Sequence, residues 1–147
     1  MTEQVLRFTR VFDAPRHLVF SCMVEPEHLT RFWGPIGVST PRDSITVDAR
    51  PGGTFATVMV NDADGSTYPT SARYLEVSAP ERLSWVEDHS GMTVVITFTD
   101  LGDDRTQVDI EQTKVPDRMM DPAAQAGFLT SLDRFAAHLV RLTAAER

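Results

Sequence analysis

The sequence predicts an α+β fold: a run of antiparallel strands covered on one face by a single long helix near the C-terminus. Three observations carry this. Over 121–142 the apolar residues Phe128, Leu132, Phe135, Leu139 and Leu142 recur at steps of four, three, four and three, which places them on one helical stripe. Between residues 44 and 113, strand-like segments follow one another through tight turns, which makes neighbours in sequence antiparallel neighbours in space. In the last of these segments Thr106, Val108, Ile110 and Gln112 alternate with Gln107, Asp109 and Glu111, the mark of a sheet with one covered and one wet face. A one-sided sheet and a one-sided helix each supply what the other must bury.

Taken in order, residues 4–13 read as a strand with Leu6, Phe8 and Phe12 on one parity. Ala14-Pro15 breaks it, and Asp13 can cap a short helix over 16–24 that carries Leu18, Val19, Cys22 and Met23 at helical spacing. A second short helix starts at Pro26 and presents Leu29, Phe32 and Trp33 on one side before Gly34-Pro35 ends it. Neither helix has a basic exposed face, so the pair does not read as a DNA-binding unit. Further strands are expected at 44–48, 54–60, 70–77, 82–87, 92–100 and 105–113, seven with the first. Pro69 should fall near the start of its strand, where a missing N–H is best tolerated. Asp121 suits the N-cap of the long helix and Pro122 its first position; the rod would measure about 33 Å. No repeat, low-complexity run or linker interrupts the order, so residues 1–147 are expected to form one domain.

Composition narrows the function. At 147 residues the chain is long enough to bury roughly 70% of its unfolded surface without staples. A formal net charge of −7, with no local cluster of Lys or Arg, opposes binding to nucleic acid or an anionic membrane. No window reaches the length of apolar residues that a membrane span needs. The N-terminus shows no apolar signal segment, and Cys22 is the one cysteine; both fit a cytoplasmic protein, which is the expectation. Lys114 is the one lysine, which leaves little for Schiff-base chemistry.

Several motifs dissolve on inspection. In 61–66, Asp62, Asp64 and Ser66 alternate as calcium ligands might, but the sixth and twelfth loop positions fall on Thr67 and Arg73 rather than Gly and Glu. A hairpin turn with Gly65 at positive φ accounts for the segment. The glycine-rich 50–55 lacks the Gly-Lys-Ser/Thr ending of a phosphate loop and leads into a strand. No serine nucleophile elbow is present. Cys22, on an apolar face, reads as a small buried hydrophobe rather than a nucleophile. His17, His28, His89 and His138 share no metal-binding spacing, so no metal ligand is assigned; His138, off the long stripe, is expected in solvent, with His17 and His28 exposed. No cofactor is implied.

The order of elements, with the segments FDAPRHLVF (12–20), EPEHLTRFWGP (25–35), RPGGTF (50–55), YLEVSAPERL (74–83), VITF (95–98) and GFLTSLDRFAAHL (127–139), resembles the START-like or SRPBCC superfamily, the helix-grip or Bet v 1-like fold. Within it the chain looks like the branch of Hsp90 ATPase activator homologues. The resemblance implies a curved seven-stranded antiparallel sheet wrapped around the long helix, with an apolar cavity between them. Where that branch usually carries Trp, this chain has Phe128, which would reshape the cavity.

Against that background the aromatic and Met set gains meaning. Trp33, Phe55, Met59, Tyr74, Trp85, Phe98 and Phe128 are ordinary core residues by type, yet Trp and Tyr bring polar tips that suit a pocket wall. Gln112 has the inward parity of its strand, and a buried amide needs partners. With Leu132 from the helix and Glu87 at the edge, these are the expected ligand-binding residues for an apolar or aromatic small molecule. The alternatives are a cyclase- or hydrolase-like enzyme using Glu87 or His89 at the cavity edge with Tyr74 or Gln112 as polar partners, and a co-chaperone interaction domain of the Hsp90 kind implied by the branch. No residue is assigned as catalytic in the leading reading. The sequence carries no signal of oligomeric state and leaves a homodimer open.

Overall fold

The structure is a computed structural model that describes residues 3–145. Strand β1 (Val5–Phe12) leads into the short helices α1 (Arg16–Val24) and α2 (Pro26–Phe32). Two two-residue strands, β2 (Val38–Ser39) and β3 (Thr46–Val47), flank a 3-10 turn at Arg42–Ser44. The long strands β4 (Thr54–Asn61), β5 (Thr67–Ser78), β6 (Arg82–Glu87), β7 (Thr93–Gly102) and β8 (Arg105–Thr113) follow, and a 3-10 turn at Asp117–Met120 precedes helix α3 (Pro122–Ala145).

The strands form one curved antiparallel sheet in the order β1-β8-β7-β6-β5-β4-β2, with β3 also paired to β4. The count is eight rather than the expected seven, because β2 adds a two-residue pairing, Val38 to Asn61 and Ser39 to Val60. The expected strand at 44–48 shrinks to β3, since Ser44 belongs to the 3-10 turn, held by its hydroxyl on the Pro41 carbonyl at 2.7 Å. Pro69 is the third residue of β5, near its start as expected. It is tolerated because β6 joins β5 only from Ala72 onward, so at Pro69 one side of the strand is unpaired.

The turns explain the glycines and acids. Asp103 and Asp104, at φ 54° and 55°, form the two-residue link between β7 and β8, where Gly102 pairs with Arg105. Positive φ at both central residues suits the right-handed twist of a hairpin. In the β4–β5 turn, Asn61 Oδ1 accepts from the Ala63 N–H and Asp64 Oδ1 accepts from Ser66, so these oxygens hold a turn. Gly53 has a steric reason: a Cβ there would lie 1.9 Å from the Asp48 carbonyl oxygen.

The core sits between the concave face of the sheet and the three helices. The α1 N-cap is Pro15, without the side-chain cap expected of Asp13. On α3, Leu132, Phe135 and Leu139 are buried, and Phe128 and Leu142 pack against the core, as the stripe predicts. Asp121 Oδ1 caps the helix by accepting from the Ala123 N–H at 2.9 Å. Phe135 stacks on Phe32 at 4.1 Å and tilts against Phe12 at 4.9 Å, which locks α2 and β1 to the middle of α3. His138 is buried, not solvated: it lies on the shoulder of the stripe that α2 covers, and His28 is half-buried beside it. His17 is exposed.

Candidate functional site

Alternation places every second residue of the sheet toward α3, and at one end the two layers do not close. There they enclose a pocket of about 610 Å³, within the usual size range of small-molecule sites. Its deep end is apolar and buried, with Phe12, Met23, Phe32, Phe135, Ile96 and Val108. Its mouth is marked by exposed lining residues: Tyr68 from β5, Arg118 from the 3-10 turn, and Ala123 and Ala124 from the first turn of α3.

Most of the residues singled out by sequence meet in this pocket. Trp33, Phe55, Met59, Trp85, Glu87, Gln112, Phe128 and Leu132 all line it. Trp33 ends α2, and its half-buried ring contacts Phe55 edge-on at 5.1 Å. Phe55 in turn meets Trp85 edge-on at 5.2 Å, so three rings from α2, β4 and β6 form one wall. Phe128 reaches the pocket from α3 and tilts against Phe8 of β1 at 4.6 Å.

Tyr74 and Phe98 do not line it. Phe98 faces inward, but α1 fills that end of the sheet, and Phe20 meets its ring at 5.2 Å. Tyr74 lies flat behind Phe55, at 5.7 Å and 10° between planes. Its backbone is pinned by Gly52 and Gly53, and its buried hydroxyl has no hydrogen-bond partner among the described residues. Burial, with the charge of Asp48 nearby, pushes that hydroxyl's pKa above the usual phenol value.

The polar groups of the pocket are few. Gln112 is buried on β8, and its Oε1 has no hydrogen-bond partner among the described residues. Glu87 ends β6, half-buried at the pocket; burial raises its pKa, against the opposing pull of the Ser90 hydroxyl, 3.3 Å away, and of Arg118. His89, the expected alternative to Glu87 at the cavity edge, is exposed and outside the lining.

Sequence reasoning missed Arg118 and Met119, which reach the pocket from a turn without periodicity, and Met92, which precedes β7. It also missed Arg134, whose Nη1 donates to the carbonyls of Gly34, Pro35 and Val38 at 2.7, 3.2 and 3.1 Å and fixes the segment after α2 over α3. A second cluster lay beyond spacing rules altogether. Cys22, His28 and His138 converge from α1, α2 and α3 although no motif joins them. Burial, then Glu25, pushes the Cys22 thiol up to about 12; burial, then His28, Arg141 and Arg31, pulls the His138 imidazole down to about 4.

A curved antiparallel sheet gripping a long C-terminal helix, with two short helices after the first strand, defines the START-like, helix-grip class of domains. The chain belongs to the family of Activator of Hsp90 ATPase homolog 1-like proteins, whose sequence profile matches residues 13–140. It is similar in structure to protein CV1439 from Chromobacterium violaceum, at 27% identity and TM-score 0.83, over 92% of this chain and 97% of that one. Protein NE0264 from Nitrosomonas europaea is also similar, at 27% identity and TM-score 0.81, over 95% and 96% of the two chains. The AHSA1 (SPO3351) protein from Silicibacter pomeroyi matches at 25% identity and TM-score 0.76, over 93% and 98%. No curated protein matches the chain. Among the described residues no helix is long and apolar enough to cross a membrane.

Proposed function

We propose that this chain is a small-molecule-binding START-like domain that holds one apolar or aromatic molecule between the sheet and α3. The observation that carries the reading is the pocket of about 610 Å³, apolar at its deep end and walled by Trp33, Phe55 and Trp85. Gln112 supports a ligand with one hydrogen-bond donor on an otherwise apolar body. A buried acceptor without a partner costs desolvation, and a donor on the ligand offsets that cost. The enzymatic alternative keeps Glu87 and Gln112 in the pocket and loses His89, which is exposed, and Tyr74, which does not line it.

The chain's two tryptophans, Trp33 and Trp85, both line the pocket, so intrinsic fluorescence reports on it directly. A panel of amphiphiles (anilinonaphthalene sulfonate, a long-chain fatty acid, planar aromatic alcohols) is titrated against the full chain with emission and thermal melting as readouts. At least one class should shift emission saturably and raise Tm as its concentration rises. If no class does either, the binding reading is wrong.

A further inference from the structure

Away from the pocket, Cys22 on α1, His28 on α2 and His138 on α3 meet on the other side of the α2–α3 contact, and none of them lines the pocket. One ligand atom from each, the Cys22 sulfur and a ring nitrogen of each histidine, lie within 4.8 Å of one another. His28 Nδ1 and His138 Nε2 stand 2.9 Å apart. Two imidazole nitrogens at that distance share one proton, one donating and the other accepting, so the two ring nitrogens face each other across the cluster. Cys22 and His138 are buried and His28 is half-buried, which leaves the cluster open to water at one corner.

We propose that Cys22, His28 and His138 form a three-ligand site for a thiophilic d10 cation, of the Cu+ or Zn2+ kind. The donor set of one sulfur and two imidazoles suits such ions and not magnesium or calcium, which require oxygen. The geometry is close to what is needed. Metal–sulfur bonds of about 2.3 Å and metal–nitrogen bonds of about 2.0 Å set neighbouring donors roughly 3.3–3.8 Å apart. The two nitrogens must therefore separate by a few tenths of an ångström and the sulfur close in by up to about 1 Å, within reach of side-chain rotation.

Binding exchanges protons for the metal: the Cys22 thiol loses its proton to solvent as the sulfur–metal bond forms, and the proton shared by the two imidazoles moves to the far ring nitrogen of the histidine that carried it, so occupancy weakens as pH falls. Charge discriminates between the ions. Arg31 and Arg141 lie near His138, and Glu25 near Cys22. A monovalent ion on one thiolate leaves the site neutral and needs no fourth ligand, whereas a divalent ion adds a positive charge beside the two arginines and takes a water on the exposed side of His28. The balance favours Cu+. Either ion would fasten α1, α2 and α3 to one another.

The reduced full chain, stripped with a chelator, is titrated with Cu+ under anaerobic conditions and separately with Zn2+, each against a chromophoric competitor. The expected result is a single equivalent bound, a Tm that rises with free metal, and perturbed ring-nitrogen signals of both histidines in long-range 1H–15N spectra. Cys22→Ala and His28→Gln should each weaken binding by at least the roughly 10–100-fold that even an outer-shell partner is worth. Binding of Cu+, with or without Zn2+, supports the site and its charge argument, whereas binding of Zn2+ alone supports the three-ligand site and overturns the preference for Cu+. Absence of stoichiometric binding by either ion overturns it, as does binding that survives both substitutions. The imidazole spectra of the unsubstituted protein decide the matter even if a variant fails to fold.

Discussion

Gln112 is the residue whose environment most sharply separates stability from binding. Its amide is buried on β8 with an unpartnered oxygen, and the protein bears that cost without a ligand. Gln112→Leu keeps the volume and removes the polar group. It should raise stability by about 1–2 kcal/mol in urea denaturation while weakening ligands that bring a donor; a variant that is less stable than the parent would mean the amide is satisfied in solution. His138 gives a second residue-scale prediction. Its imidazole titrates near 6.5 when free and at about 4 when folded. Between those values the unfolded chain binds more protons, so stability from this group is complete above 6.5 and is lost as pH falls through about 4. His138→Gln should flatten the fall in Tm between about pH 7 and about pH 4.5 relative to the parent. A variant that follows the parental pH profile would remove His138 from that role.

Elements are held in place by a few polar anchors as well as by the core. Arg134 projects from the shoulder of α3 and collects three carbonyls of the segment that follows α2, the same segment that carries Pro35 and Val38 into the pocket wall. Arg134→Met leaves those carbonyls to water and should cost about 1.5–3 kcal/mol by denaturant titration. An effect near zero would mean the segment is fixed by packing alone. Gly53 anchors the opposite edge, because the Asp48 carbonyl occupies the space a Cβ would need. Gly53→Ala forces the β3–β4 turn to shift, with an expected loss of about 1–3 kcal/mol in the same measurement. The bulge between Tyr74 and Glu76 shifts the β5–β6 register by one residue, leaving Leu75 exposed beside buried Tyr74.

At the scale of the whole molecule, the pocket is a consequence of layers that meet at one end and part at the other. Around Phe12, Phe32 and Phe135 the rings touch and the core is closed; toward the start of α3 the space is left to Phe128 and Leu132. Phe128→Trp adds ring volume at that opening. It should leave Tm unchanged or raised and exclude the bulkiest members of any ligand series that binds, read by the pocket tryptophans together with calorimetry. Unaltered affinity across the series would mean that ligands sit elsewhere.

The periodicities alone determined the long elements and most of the faces they bury: the α3 stripe, the alternation of β8 and the acid- and glycine-rich hairpins are local facts, set by backbone geometry and turn chemistry. The inward direction of Phe98, Gln112 and Trp85 was legible for the same reason. Whether an inward residue borders space or another side chain was not, because that depends on what the opposite layer brings. Phe20 of α1 covers Phe98, whereas Gln112 borders the pocket. Arg118, in a turn without a period, and His138, on the shoulder of its helix, acquired their places only when the sheet curved and α2 lay down on α3. Cys22, His28 and His138 belong to three different helices, so their meeting was decided by tertiary packing; spacing along the chain carries no information about side chains that neighbouring elements bring together.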